Sequence, residues 1–182
     1  QAILLVEDSV RYYSTYLPEL YKMIIKQSAE FMKETLNVQQ RKFRKRSRPK
    51  ILLATNLDDA IDKYTRYKDN LLGVISDVGF TVHKDDSPEM EKLDAGLDLV
   101  RHIKADNPRM PILLQSSQDS ISAVAEQLGV GFLRKYSKTL TLQLSDFITE
   151  EFRFGDFVFR DANHVEYGRA TKIKELEYIL KE

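Results

Sequence analysis

Five polar side chains in this sequence each stand at the end of a short, strand-like run. Glu7 and Asp8 follow Ala2-Ile3-Leu4-Leu5-Val6, and Asp77 follows Gly73-Val74-Ile75-Ser76. Ser116 follows Pro111-Ile112-Leu113-Leu114-Gln115, and Lys135 follows Gly131-Phe132-Leu133-Arg134. A short apolar run bounded by turn residues reads as a buried parallel strand. Open α/β sheets bind ligands just beyond the carboxyl ends of their strands. Side by side, these strand ends bring three carboxylates to one hydroxyl and one ammonium. Carboxylates that close repel unless protons or a cation compensate. Mg2+, a hard cation that takes oxygen ligands and retains waters, suits them. The backbone carbonyl of Gly79 adds a further oxygen, and glycine permits the close approach. A carboxylate held beside such a cation can attack a phosphoryl group. The cation and Lys135 would offset charge on the transferring oxygens, and Ser116 could donate its hydroxyl to one of them.

The bulk of the chain is compatible with such a site and narrows its setting. At 182 residues it makes one domain, or one domain with an appendage, and it is 42% hydrophobic and 31% charged. Twenty-eight Lys and Arg balance 28 Asp and Glu, so no overall field argues for nucleic acid or an acidic surface. The absence of cysteine excludes disulfides and thiolate metal sites and fits a reducing cytoplasm. No apolar stretch reaches the length of a membrane span, and no signal peptide is visible. The chain opens on a strand without an initiator Met, which suggests an excised domain or a trimmed start.

Five strand-helix units position the polar residues. After β-type Ala2–Val6, Ser9 can cap a helix from Val10 that the pattern carries to about Arg46. A helix of that length reaches roughly 50 Å and overhangs a small domain, leaving a surface for a partner helix in the same chain or a dimer. Pro18 inside it should kink it or restart it. Residues 41–50 carry seven basic side chains in ten. With zero net charge, a solvated helix end explains that run better than a phosphate or nucleic-acid patch. Ile51–Ala54 is the second strand, and Asn56 caps a helix from Leu57 to about Lys68. Beyond Asp77, residues 80–94 form a long, largely acidic loop, of the kind more often functional or mobile than accidental. Helices over 96–104, 120–128 and 139–152 alternate with the last two strands, so the sheet is parallel with right-handed crossovers. From residue 153 the pattern changes to an aromatic run at Phe154–Phe159, a turn at 161–164 and a return strand at Val165–Tyr167. An amphipathic helix over 171–180 completes a hairpin-helix appendage (153–182), which needs something to pack on.

Taken singly, each polar residue has a plain structural use. An Asp after a strand caps a helix, Ser116 serves a turn, Lys135 sits on a surface, and Phe132 belongs to a core. Jointly they resemble the receiver domain of two-component response regulators. Leu4-Leu5-Val6-Glu7-Asp8-Ser9, Asp77, Ser116 and Lys135 carry the resemblance, in order, over about Ala2 to Phe152. It implies a flavodoxin-like (βα)5 fold with strand order 2-1-3-4-5. It implies Asp77 as phosphoacceptor, Mg2+ held by Glu7, Asp8, Asp77 and the Gly79 carbonyl, Ser116 as switch hydroxyl and Lys135 as partner of the phosphoryl group. Phe132, three residues before the lysine, matches the aromatic switch position. The implied donor is a sensor histidine kinase or phosphotransfer protein in the cytoplasm, with catalysis limited to self-phosphorylation and autodephosphorylation.

The sequence also departs from that family. Tyr136 stands where a proline joined by a cis bond is usual, and Ser117 replaces a small Ala or Gly. The first helix is longer than usual, and the acidic 80–94 loop is an insertion. These departures keep a second reading open, a receiver-like interaction module that works without phosphorylation. A haloacid-dehalogenase-type phosphatase would need a second Asp two residues after Asp77, where Gly79 stands. No strand is followed by a Gly-rich Lys-Ser/Thr loop, which excludes a P-loop nucleotidase. The C-terminal segment is too short and lacks the basic helix of a DNA reader. It weakly resembles the connector joining a receiver to a phosphoenolpyruvate/pyruvate-binding domain in bacterial proteins, one form that a fused output could take.

Overall fold

Apolar runs with their hydrogen-bonding groups satisfied by neighbours on both sides make the centre of this protein. The computed structural model describes residues 1–33, 49–152, 157–161, 163 and 166–170. The basic run at 41–48, the first helix beyond residue 33, His164 and the helix expected over 171–180 lie outside them. The chain divides into two compact units, Gln1–Phe152 and Arg153–Glu182, each described by itself. No helix among the described residues is long and apolar enough to cross a membrane.

Among the described residues of the first unit five strands alternate with five helices: β1 (Ala2–Val6), α1 (Val10–Lys33), β2 (Lys50–Ala54), α2 (Leu57–Tyr67), β3 (Leu71–Asp77), α3 (Ala95–Asp106), β4 (Ile112–Ser116), α4 (Ile121–Gln127), β5 (Gly131–Arg134) and α5 (Leu140–Phe147). The sheet order is β2-β1-β3-β4-β5, parallel throughout. β1 and β4 are buried along their whole length, as strands covered on both faces must be. Strand alternation sends Leu4 and Val6 to one face, where they join Leu114, Leu57, Tyr64, Leu99 and Ile103 in one core cluster. Ile3 and Leu5 take the opposite face, on which Phe152 abuts Gly73, the β3 partner of Ile3.

Tyr16, Leu20, Met23 and Ile24 form the buried stripe of α1 at helical spacing. Pro18 lies inside α1, and of the two expected outcomes, a kink or a restart, the helix shows no restart there. The proline removes the bond that the Ser14 carbonyl would accept, but both residues are exposed, so water can satisfy that carbonyl. The last helix differs from the expected one. It is α-helical only to Phe147 and continues as a π turn over Ile148–Phe152. That wider turn places both Ile148 and Phe152 in the core, with Phe152 edge-on to Phe147 at 5.4 Å. In the second unit β6 (Phe157–Arg160) pairs antiparallel with β7 (Glu166–Ala170), with a bulge between Phe159 and Arg160.

The loop after β3 is tied down rather than free. Phe80 and Lys92 form an antiparallel bridge, with N–H to O distances of 3.3 and 3.0 Å, and a 3-10 turn spans Pro88–Met90 between them. Gly96, at the start of α3, donates to the Val78 carbonyl at 2.8 Å. A Cβ there would run into the Asp77 carbonyl oxygen and lie 2.8 Å from Val78 Cα. Helix propensity favours alanine over glycine by about 1 kcal/mol, whereas forced overpacking costs about 1–3 kcal/mol. The clash, with backbone that cannot swing aside, should win. Gly96→Ala is therefore expected to lower the urea midpoint; an unchanged or raised midpoint would show that the Asp77 turn is more pliable than its packing implies.

Candidate phosphoryl-acceptor site

The carboxyl ends of β1, β3, β4 and β5 converge as the strand order requires. Oxygens of Glu7, Asp8 and Asp77 lie within 4.8 Å of one another. Glu7 extends the β1 ladder, its N–H donating to the Ala54 carbonyl at 3.0 Å, and its side chain is buried. Oε1 of Glu7 accepts the Ser9 N–H at 3.2 Å, while Ser9 Oγ caps α1 by accepting from Tyr12 N–H. The Asp8 carboxylate is half-buried, and the backbone of its own residue and of Thr81 favours its charged form without cancelling the effect of burial. Asp77 Oδ1 accepts the Val78 N–H at 2.7 Å. Its other oxygen, Oδ2, accepts from Lys135 Nζ, which also donates to Glu7 Oε2 at 2.8 Å.

Lys135 is anchored from two sides. Its backbone N–H donates to the Ser116 carbonyl at 2.9 Å, fixing β5 to the end of β4. The ammonium lies 4.3 Å from the centre of the Tyr12 ring, and the lysine side chain is only 10% exposed. Ser116 is buried and its Oγ accepts the Gln118 N–H at 3.1 Å, so the hydroxyl keeps its own proton to donate. Phe132, opposite Leu114, is half-buried against the core.

The charges are unbalanced. Burial, reinforced by the Asp77 charge, pushes Glu7 up to about 7 in spite of Lys135. Burial and then Asp77 also raise Asp8. For Lys135, burial disfavours the cation, but Asp77 and Glu7 outweigh it and hold its pKa above the ordinary value. One ammonium thus serves a pocket with an excess of carboxylates. The oxygen-only donor set, its mutual spacing and its surplus negative charge fit a hard divalent cation.

Three further side chains at the site carry no signal in the local sequence pattern that singles them out. Glu91, known there only as part of the acidic loop, lies against Gly79: a Cβ at 79 would meet its Oε1, the end of a flexible side chain that would have to swing aside. Burial and then the charges of Asp8 and Asp77 raise its pKa. Nothing in local spacing announces it; the Phe80–Lys92 bridge delivers it. Tyr12 and Gln115 are the others, and the four-residue step from Asp8 to Tyr12 could have placed that ring on the site's side of α1. Tyr136 occupies the left-handed region at φ 63°, and no peptide bond among the described residues is cis. Two of the three histidines have partners away from the site. His102 packs edge-on to Tyr64, the exposed His83 pairs with Asp58 at 2.7 Å, and His164 is outside the described residues.

Solved structures share this fold. A response regulator receiver domain protein from Clostridium thermocellum is 20% identical, with a TM-score of 0.52, over 84% of this chain and 95% of that one. A response regulator receiver protein from Sinorhizobium medicae gives 16% identity and a TM-score of 0.55 over 84% and 94%. The response regulator protein TrrA from Thermotoga maritima, in complex with Mg2+-BeF, gives 14% and 0.51 over 81% and 98%. No family model and no curated protein matches the chain. The chain has the receiver-domain fold.

The raised Glu7 carboxyl carries a pH dependence. An acid whose pKa rises on folding binds its proton more tightly in the folded state. Its stabilisation is complete below the unfolded value near 4.5 and is lost as pH climbs toward 7. Lys135, raised rather than lowered, contributes nothing to that window. Without divalent cations, stability should fall between pH 5 and pH 7 in denaturant titrations, and Glu7→Gln should flatten that slope. An undiminished slope in the variant would assign it to other groups.

Proposed function

We propose that the chain is a phosphoacceptor receiver domain spanning residues 1–152, with Asp77 taking a phosphoryl group from the phosphohistidine of a cytoplasmic histidine kinase or phosphotransfer protein. The observation that carries this reading is the meeting of Glu7, Asp8, Asp77 and Lys135 at one edge of a receiver-fold sheet. Asp77 is held for attack by the Val78 N–H at one oxygen and by Lys135 at the other. A carboxylate oxygen forms the new O–P bond as the P–N bond breaks, and the electron pair leaves with the imidazole nitrogen. Glu7, Asp8, Asp77 and the Gly79 carbonyl would hold Mg2+, which supplies positive charge to the transferring oxygens. Lys135 then turns from the carboxylates to the new phosphoryl oxygens, and Ser116 donates its hydroxyl to another.

Those two movements belong to β4 and β5, so they bias a two-state equilibrium in the sheet edge that carries Phe132. A partner, or an output domain joined through the 153–182 unit, reads that state. The phosphorylation-independent reading draws on Tyr136, whose left-handed backbone replaces the family's proline turn beside the lysine.

Acetyl phosphate with Mg2+, followed by intact mass, separates the two. One added phosphoryl group, labile to base, is expected on the wild type and absent from Asp77→Asn. Lys135→Ala and Ser116→Ala should label more slowly, by roughly the tenfold or more that single electrostatic partners contribute. A wild type that binds Mg2+ without labelling, even with a histidine phosphodonor, would leave the interaction module as the better reading.

A further inference from the structure

Lys135 has a long, flexible stem, and two carboxylates alone would not fix where its ammonium rests. The third contact is the face of Tyr12, 4.3 Å from Nζ, well inside cation–π range. That ring is held more firmly than a helix-surface tyrosine needs to be. It stacks on Tyr16 at 5.5 Å and 22°, and Tyr136 meets it edge-on at 5.8 Å. Its hydroxyl donates to Gln115 Oε1 at 3.1 Å, and the amide of this buried glutamine donates in turn to the Tyr16 hydroxyl. Gln115 directly precedes Ser116 in β4.

We propose that Tyr12 is a positioning residue for phosphoryl transfer, its ring face holding the Lys135 ammonium over Asp77 while the Tyr12–Gln115–Tyr16 chain ties that position to α1 and to Ser116. The proposal rests on the receiver reading. A ring suits this task better than another carboxylate. It attracts the ammonium without adding charge to a pocket that already has too many anions, and without competing with the incoming phosphoryl oxygens for a full ion pair. Tyr136 then has a use for its left-handed backbone, since that conformation brings its ring against the edge of Tyr12. When Lys135 moves to a phosphoryl oxygen, Tyr12 loses its cation, and α1 registers the change together with the sheet edge.

The test compares Tyr12→Phe, which keeps the ring and loses the bond to Gln115, with Tyr12→Leu, which loses both. Both are read in the full chain with acetyl phosphate and Mg2+. Phosphorylation of Tyr12→Leu should slow by roughly 2- to 30-fold, the range of a cation–π contact, and Tyr12→Phe should slow by less, because the ring stays and only its tie to Gln115 is lost. Mg2+ affinity by calorimetry should be unchanged in both, because the carboxylates are intact. The ε-methylene protons of Lys135 should show an upfield ring-current shift in the wild type and in Tyr12→Phe, lost in Tyr12→Leu. Equal rates in the wild type and Tyr12→Leu would overturn the proposal, as would a Tyr12→Phe variant as slow as Tyr12→Leu. If the wild type takes no phosphoryl group, the receiver reading fails and takes the transfer role of Tyr12 with it. The ring-current shift would then report the Lys135 contact alone.

Discussion

An ammonium shared between two carboxylates sets the terms for the rest of this structure. Lys135 reaches Glu7 and Asp77 from a different strand, across the β1-β3-β4-β5 sequence of neighbours. A buried ion pair is weak evidence of stability, because desolvation offsets much of its attraction. Here it has a different value. Three carboxylates within 4.8 Å of one another need a counter-charge, and a lysine on a flexible stem supplies one that can be given up. The pocket is therefore held together by the group that its proposed chemistry would draw away.

The fold is built to keep that arrangement reversible at the side chains and rigid in the backbone. The Asp77 turn is fixed by the Gly96 N–H to the Val78 carbonyl, and β5 is fixed to β4 by the Lys135 N–H to Ser116. The Phe80–Lys92 bridge closes the long loop on itself and lays Glu91 against Gly79. With the backbone settled, the proposed chemistry asks only the lysine stem and the serine hydroxyl to turn.

Much of this was legible in the residues. Buried parallel strands leave continuous apolar runs, and a charged residue after each run marks the edge where ligands bind; Ala2–Val6 with Glu7 and Asp8 shows both signals at once. The sheet order came from the resemblance to receivers, and the sheet has that order. What local patterns could not carry were contacts made at a distance. Glu91 reads as one acid among several in a polar loop, and only a bridge between residues twelve apart, 80 and 92, brings it to Gly79. Tyr12 reads as one of several tyrosines in a helix until Lys135 and Gln115 meet it from other strands. Pro18 reads as a kink or a restart, and at its exposed position α1 continues without a restart.

The central claim is that Lys135 is a resident counter-ion released when a phosphoryl group arrives. A crystal structure of the full chain with Mg2+ and beryllofluoride, a phosphoryl mimic, tests it most directly. The account predicts beryllofluoride on Asp77, Lys135 Nζ against a fluorine and no longer bonded to Glu7, and Ser116 Oγ turned toward a second fluorine. Asp77 left free, with Lys135 still bridging it to Glu7 under conditions in which Mg2+ is bound, would contradict it.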